Sequence, residues 1–331
     1  MAYSVSMKDV NTAPPLVAIV GPTASGKSVL GLALAKRFGG EILACDSTQL
    51  YRGFDIGTAK PTLAERAEVP HHLLDVLEAD EPSTAGDYRE RAEAVLADLK
   101  LRGRLPILTV GTGLYLRAVL EGLADLPQRS EELRERLRET AATHGPGHLH
   151  ALLKKLDAET AAKIAAADEQ KIIRAIEVCL LANKPLSEVH RTARKPLLGW
   201  RPVKVGLQPA RDALVDRIHA RSDAMLAAGW LDEVRDLLEQ NHGEDAKPFD
   251  FIGYRELREV LRGKIAVAEA RAAIQQSTRQ YAKRQLTWFR REKNVHWLAG
   301  FGDDPLIQRQ ACERLTSCGI VPARGEQSAG V

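Results

Sequence analysis

Residues Val17–Leu34 read VAIVGPTASGKSVLGLAL. The apolar run Leu16–Val20 ends at Gly21 and reads as a buried parallel strand. Gly21–Ser28, GPTASGKS, fits the spacing G-x-x-x-x-G-K-[ST]. Behind it the pattern predicts a helix from about Lys27 to Phe38, closed by Gly39-Gly40. Strand, loop and helix in that order make an anion cradle of Gly21, Pro22, Thr23, Ala24, Ser25, Gly26, Lys27 and Ser28. Backbone N–H groups and the helix dipole offer partial positive charge to a phosphate. Lys27 adds a full charge, and the Ser28 hydroxyl can reach Mg²⁺. The spacing leaves open whether the phosphate is a nucleotide tail or some other diphosphate.

The same grammar continues outward. Glu41–Cys45 reads as a second strand with Asp46 at its carboxyl end, and Leu105–Val110 as a third. Asp87–Lys100 is helical in pattern, and Gly111-Thr112-Gly113 turns the chain into a helix carrying Tyr115, Leu116 and Val119. Strand–helix alternation with short links predicts an α/β parallel sheet. From about Leu126 the grammar changes. Residues 130–195 show charged helical runs such as Glu131–Thr140 and Gln170–Leu181 and no clear strand, so they read as a helical insertion. Val203–Leu207 returns as a strand, with helices near Arg211–Ala228, Leu231–Gln240 and Ala266–Arg291. The expected organisation is a core of 14–125 plus 200–299, a helical domain of 126–199, and a weakly specified, loosely held tail of 300–331.

Composition excludes several classes. The 331 residues are 44% apolar and 27% charged, ordinary for a globular protein. No window approaches the ~20 apolar residues of a membrane span. The leader MAYSVSMKDVNTA has no signal-type apolar block, so a cytoplasmic protein is expected. Four scattered cysteines suggest neither a disulfide framework nor a zinc site. The net charge of +3 says little, but residues 270–293 hold seven Lys or Arg against the single acid Glu292. That excess, including Arg279, Lys283 and Arg290, reads as a surface for RNA.

Asp46 admits two readings. It can bind Mg²⁺ or take a proton from a substrate amine, or it can cap a helix. The third strand ends in Gly-Thr-Gly rather than in the metal-binding Asp usual in nucleotide-hydrolysing proteins with this cradle, which weakens that reading. Arg217 and Arg221 lie four apart on a helix and can clamp phosphate, or simply face solvent. Tyr281 and Trp288 share a helix face; a core stripe is favoured over base stacking. His71-His72 reads as structural or as a loop contact.

GPTASGKS, Asp46–Thr62 (DSTQLYRGFDIGTAKPT), His71–Asp75 (HHLLD), Gly111–Leu123, Gln170–Val178 (QKIIRAIEV), Ile252–Leu257 (IGYREL) and Thr278–Arg290 (TRQYAKRQLTWFR) together resemble the bacterial tRNA dimethylallyltransferases, in order, through most of residues 14–298. The resemblance implies a P-loop NTPase-like, kinase-like α/β fold: a parallel sheet core with an all-helical insertion. It implies transfer of a dimethylallyl group from dimethylallyl diphosphate to N6 of the adenosine just 3′ of the anticodon, with Mg²⁺ as cofactor. Asp46 would be the general base, and Thr23 would bond the bridging oxygen of the leaving diphosphate. Lys27 and Ser28 would hold the diphosphate and Mg²⁺, assisted by Arg217 or Arg221. Asp46, Ser47, Thr48, Gln49, Thr112, Arg134, Gln170, Lys171, Ile172, Ile173, Arg174, Phe251, Ile252, Gly253, Tyr254 and Arg255 would contact tRNA. A monomer with no membrane attachment is expected. The rivals are an adenylate isopentenyltransferase, a nucleoside kinase and a non-catalytic RNA-binding protein. A mononucleotide needs neither the helical insertion nor the basic helix.

Overall fold

Apolar side chains on both faces make Pro15–Val20 (β1) a strand that must be covered on two sides, and it lies inside a six-stranded parallel sheet. The computed structural model describes residues 13–124, 126–145, 147–191, 195–240 and 246–323; the leader through Thr12 and the chain end from Arg324 lie outside them. In chain order, β1 leads into helix α1 (Lys27–Phe38), β2 (Gly40–Cys45), α2 (Leu63–Glu68) and the two-residue β3 (His71–His72). Then come α3 (Ala85–Leu101), β4 (Leu105–Val110) and α4 (Gly113–Glu121). The next helices are α5 (Glu131–His144), α6 (His148–Leu156), α7 (Ala158–Ala161), α8 (Glu169–Ala182) and α9 (Leu186–Val189). The chain continues through β5 (Arg201–Leu207), α10 (Arg211–Ala227), α11 (Trp230–Glu239), a 3₁₀ turn at Lys247–Asp250, α12 (Tyr254–Leu261), α13 (Val267–Phe289), β6 (Val295–Leu298) and α14 (Pro305–Ser317).

The strand order is β3-β2-β4-β1-β5-β6. Ile19 pairs with Thr109 on β4 and with Val205 on β5, which puts the carboxyl ends of β1, β4 and β5 at one rim. Cys45 of β2 pairs with Val110 at the same rim. Loops leaving that rim carry the cradle, Asp46 and Gly111, the usual place for a ligand in an open parallel sheet.

The chain divides into two compact units, 1–120 with 198–331, and 121–197. The second unit has its own core of Leu137, Leu149, Leu153, Ile172, Ile173, Ile176 and Val178, and its described residues contain no strand.

The expectation of a loosely held tail after Gly300 is corrected. Ile307, Ala311, Leu315 and Ile320 of the α14 region are buried in the same core as Val17, Leu34 and Val205. β6 pairs with β5 through Lys204–Val295 to Leu207–Leu298. Ile307, Ala311 and Leu315 stand four apart on α14 and Ile320 follows its end, a short stripe that the polar residues between them dilute in the sequence. His71 and His72 form the edge strand. His72 Nε2 lies 2.7 Å from Glu41 Oε2, and His71 Nδ1 lies 2.7 Å from the Val69 carbonyl, a structural role as expected.

Candidate active site

The cradle is built from backbone. Gly26, at φ 87°, lets the loop enter α1 in a conformation a side chain resists. Ala24, at φ 63°, accepts the same left-handed strain without being glycine, which marks the loop as held by its surroundings. One of those supports is the tail: the Gly302 N–H donates to the Ser25 carbonyl at 2.9 Å. Lys27 folds back on the loop, its Nζ donating to the Gly21 and Pro22 carbonyls at 2.9 and 2.8 Å. Burial pulls its ammonium down to about 7, against the raising pull of Asp46, while Arg221 adds to the lowering. Ser28 is exposed.

Asp46 leaves β2 into a turn, and no helix follows before α2, so the helix-cap reading is not met. Its Oδ1 accepts from the Thr48 N–H (2.9 Å) and hydroxyl (2.8 Å), an Asx turn that fixes the carboxylate plane. Among the described residues its Oδ2 accepts no hydrogen bond. The Ser47 N–H donates to Thr112 Oγ1 at 3.0 Å, tying the Asp46 turn to the Gly111–Gly113 turn.

A cavity of about 340 Å³ joins these parts within the larger unit. Thr23, Ala24, Asp46, Ser47, Thr48, Arg221 and Arg284 bring polar groups to it. Ile218, Met225, Ile274, Trp230, Phe251 and Ile252 give it apolar walls. Arg221 is desolvated there, which lowers its guanidinium; Asp46 opposes the shift and Arg217 reinforces it. Arg217 is placed elsewhere. Both its terminal nitrogens donate to the Asp303 carboxylate at 2.7 Å, and its guanidinium lies 4.5 Å over the Phe301 ring. Helical spacing alone put the two arginines together, but the folded tail supplies a partner for one of them.

Of the expected tRNA contacts in this unit, Ser47, Thr48, Phe251 and Ile252 line the cavity, and Arg255 is exposed beside Glu256. Gln49 instead pins the next loop, donating to the Thr58 and Ala59 carbonyls. Tyr254 is corrected to a core residue: it is buried against Phe54 and Trp230, and its hydroxyl donates to Glu233 at 2.6 Å. Gly253 is buried at the start of the same helix. In the helical unit, Ile172 and Ile173 are likewise corrected to core residues, because the apolar stripe of α8 closes that unit's interior. Arg134 and Arg174 both grip the buried Glu177, at 2.9 and 2.6 Å. Gln170 and Lys171 remain exposed, Lys171 beside Asp168.

One charge of the basic helix is offset from outside it, where Arg271 pairs with Asp223; Arg279 meets the neutral or cationic ring of His219, and the acid Glu292 is engaged by Lys204 instead. Among the described residues, Lys283, Arg284 and Arg290 pair with no carboxylate. Tyr281 lines the cavity and donates to the Gly111 carbonyl at 3.2 Å, and Trp288 lies against Gly113 under Arg117, 4.7 Å away. Sequence reading missed Ser222, Met225, Ile274, Thr278 and Gln285. Thr278, Tyr281 and Gln285 do stand at i, i+3 and i+7, a spacing that points them to one helix face.

Fold and site together define an α/β protein with a P-loop-like core whose Gly21–Ser28 loop borders a cavity with both polar and apolar walls. Residues 49–292 match the family model described as IPP transferase, and residues 14–76 the model described as isopentenyl transferase. The chain belongs to the IPP transferase family. It is 53% identical to the tRNA dimethylallyltransferase of Koribacter versatilis over 91% of this chain and 97% of that one. It is 48% identical to that of Solibacter usitatus, over 91% and 98%. Among solved structures it is similar to the tRNA isopentenylpyrophosphate transferase of Bacillus halodurans, with 37% identity, coverage of 92% and 98%, and a TM-score of 0.67. A eukaryotic dimethylallyltransferase acting on tRNA is 25% identical, with coverage of 96% and 82% and a TM-score of 0.78.

Proposed function

We propose that this chain transfers a dimethylallyl group from dimethylallyl diphosphate to N6 of the adenosine just 3′ of the anticodon in tRNA, releasing diphosphate. The observation that carries the reading is the convergence of cradle, Asp46, Arg221 and apolar walls on one cavity. The bond between N6 and the allylic carbon forms as the carbon–oxygen bond to diphosphate breaks, and an amine proton leaves to Asp46. An allylic diphosphate ionises once its leaving charge is stabilised, so electrostatics at the cradle does most of the work. Lys27, the loop N–H groups and Arg221 supply it, with Thr23 at the bridging oxygen. Asp46 Oδ2 is the open acceptor for the proton of a weakly nucleophilic amine. The apolar walls suit a five-carbon isoprenoid. The adenine reaches the site by leaving its stack, least costly in an unpaired anticodon loop.

The donors present fit Mg²⁺. The described residues hold no cluster of three or more His, Cys, Asp or Glu that would bind a metal by themselves. Mg²⁺ takes hard oxygens from one or two side chains plus substrate phosphates and water. Ser28 would hold it together with oxygens of the substrate diphosphate and water, and it would neutralise charge on the departing diphosphate. In the larger unit Lys283 and Arg290 would meet the tRNA backbone. In the helical unit Gln170 and Lys171 would do so, where Arg134 and Arg174 brace that unit through Glu177. No described helix is long and apolar enough to cross a membrane. A cytoplasmic monomer suits this reading.

The test is product analysis with dimethylallyl diphosphate, ATP and unmodified tRNA present together. Prenylated adenosine and free diphosphate rising one for one, with ATP intact, is the expected result. ADP rising in step with modified nucleoside, or prenylation of free AMP in preference to tRNA, would overturn it.

A further inference from the structure

Gln285 stands near the end of α13 and is buried. Its Oε1 accepts the Thr23 backbone N–H at 2.7 Å, and its Nε2 donates to the Gly111 carbonyl at 2.7 Å. Tyr281, one turn earlier on the same helix, donates its hydroxyl to that carbonyl at 3.2 Å. The Gly111 and Thr112 N–H groups both donate to the Cys45 carbonyl, so the turn is gripped on both sides. Asp46 lies with its carboxylate against the Cα of Gly111. One primary amide thus joins the loop carrying Thr23 to the turn carrying the wall behind Asp46. A buried amide must satisfy both its groups, and here both are satisfied, each by one of the two halves of the site. Only a side chain with a donor and an acceptor at that length can make the bridge.

We propose that Gln285 is a positioning residue that sets the spacing between Thr23 and Asp46, and so between the leaving group and the proton acceptor. This rests on the roles given to Thr23 and Asp46 under the proposed function. Gln285 touches neither substrate; it acts through the two loops. Because transfer needs both loops in place at once, loosening the bridge costs rate more than binding. A misplacement of about 1 Å at a reacting group costs about 10²-fold.

The experiment compares Gln285→Glu, Gln285→Met and Asp46→Asn in the full chain, by transfer to tRNA from pH 6 to 9 and by thermal melting. Ionised, the carboxyl of Gln285→Glu accepts from Thr23 but repels the Gly111 carbonyl; neutral, it can both accept and donate. The groups around it are Tyr281 and Arg284 on its own helix, Asp46 and Cys45 behind the Gly111 turn, and Lys27 in the cradle. All are present in the unsubstituted protein, so the ratio of the two rates divides them out. The expected result is a kcat deficit of about 10- to 100-fold at pH 9 that narrows as pH falls, with KM for tRNA and for the diphosphate changed less than about threefold. Gln285→Met, which carries no charge to bury, shows a comparable kcat deficit at every pH. A pH-independent ratio for Gln285→Glu, a normal kcat in Gln285→Met, or losses confined to KM or to melting temperature would each overturn the proposal. A normal rate in Asp46→Asn would instead overturn the reading on which it rests.

Discussion

The carboxylate of Asp46 lies against the Cα of Gly111, with no room between them for even a methyl group. Gly111 is thus a glycine by close approach. Asp46 Oδ2 is the atom that stands where a Cβ on Gly111 would lie. Gly111→Ala would push Asp46 off this position, and the Asx turn with Thr48 would break with it. We expect transfer to fall by about 10²-fold, with the melting temperature little changed and tRNA affinity within a few-fold. Single-turnover kinetics and filter binding check this. A Gly111→Ala protein with normal rate would free Asp46 from any need for that close approach.

Lys27 gives the site a pH dependence. Its ammonium is lowered to about 7 by burial, and a diphosphate in the cradle favours the charged form. Diphosphate binding therefore takes up a proton above pH 7, and its affinity falls as pH rises through 7, by at most tenfold per unit. Calorimetry in two buffers of different ionisation enthalpy measures the uptake. Lys27→Met removes it; equal heats in both buffers for the unsubstituted chain would show Lys27 already charged.

Arg221 and Arg217 predict different losses. Arg221 is desolvated at the cavity, and Arg217 is held by Asp303. Arg221→Ala should weaken diphosphate binding by about 1.5–3 kcal/mol, the size of a hydrogen bond to a charged group. The Arg217–Asp303 pair is more than a third exposed on each side, so solvent screening leaves it less than about 1 kcal/mol. Inhibition constants for inorganic diphosphate separate the two variants. Equal losses from both would place Arg217 in the site with its neighbour.

The helical unit has an acid-sensitive centre at Glu177. Burial would raise its carboxyl, but hydrogen bonds from Arg134, Arg174 and the Ser130 N–H hold it at about 2. A lowered carboxylate stabilises the fold fully above its ordinary value of 4.5, and that stability is lost as pH falls from 4.5 toward 2. Glu177→Gln should cost about 1–3 kcal/mol at neutral pH and remove this acid step. Helix content followed against pH in both proteins checks it, and an unchanged acid transition would assign the step to another carboxylate.

The order of β1, β2, β4 and β5 with the helices between them, the glycine-rich loop, Asp46 at the end of β2 and the helical runs of 130–195 were legible in the sequence, whereas β3, β6 and α14 were not. Each legible feature depends on residues close together along the chain: an alternation of apolar runs, a glycine spacing, a strand end. What only the tertiary structure decided involves partners far apart. Arg217 turns to Asp303, Tyr254 goes to the core, and α14 packs against α1 and β6. Gln285 bridges Thr23 and Gly111 across separations of 262 and 174 residues. Local pattern reports which way a side chain leaves its own helix or strand. It carries no record of what waits there, because that partner is set by the packing of the whole sheet, and a buried amide or arginine is defined by its partner.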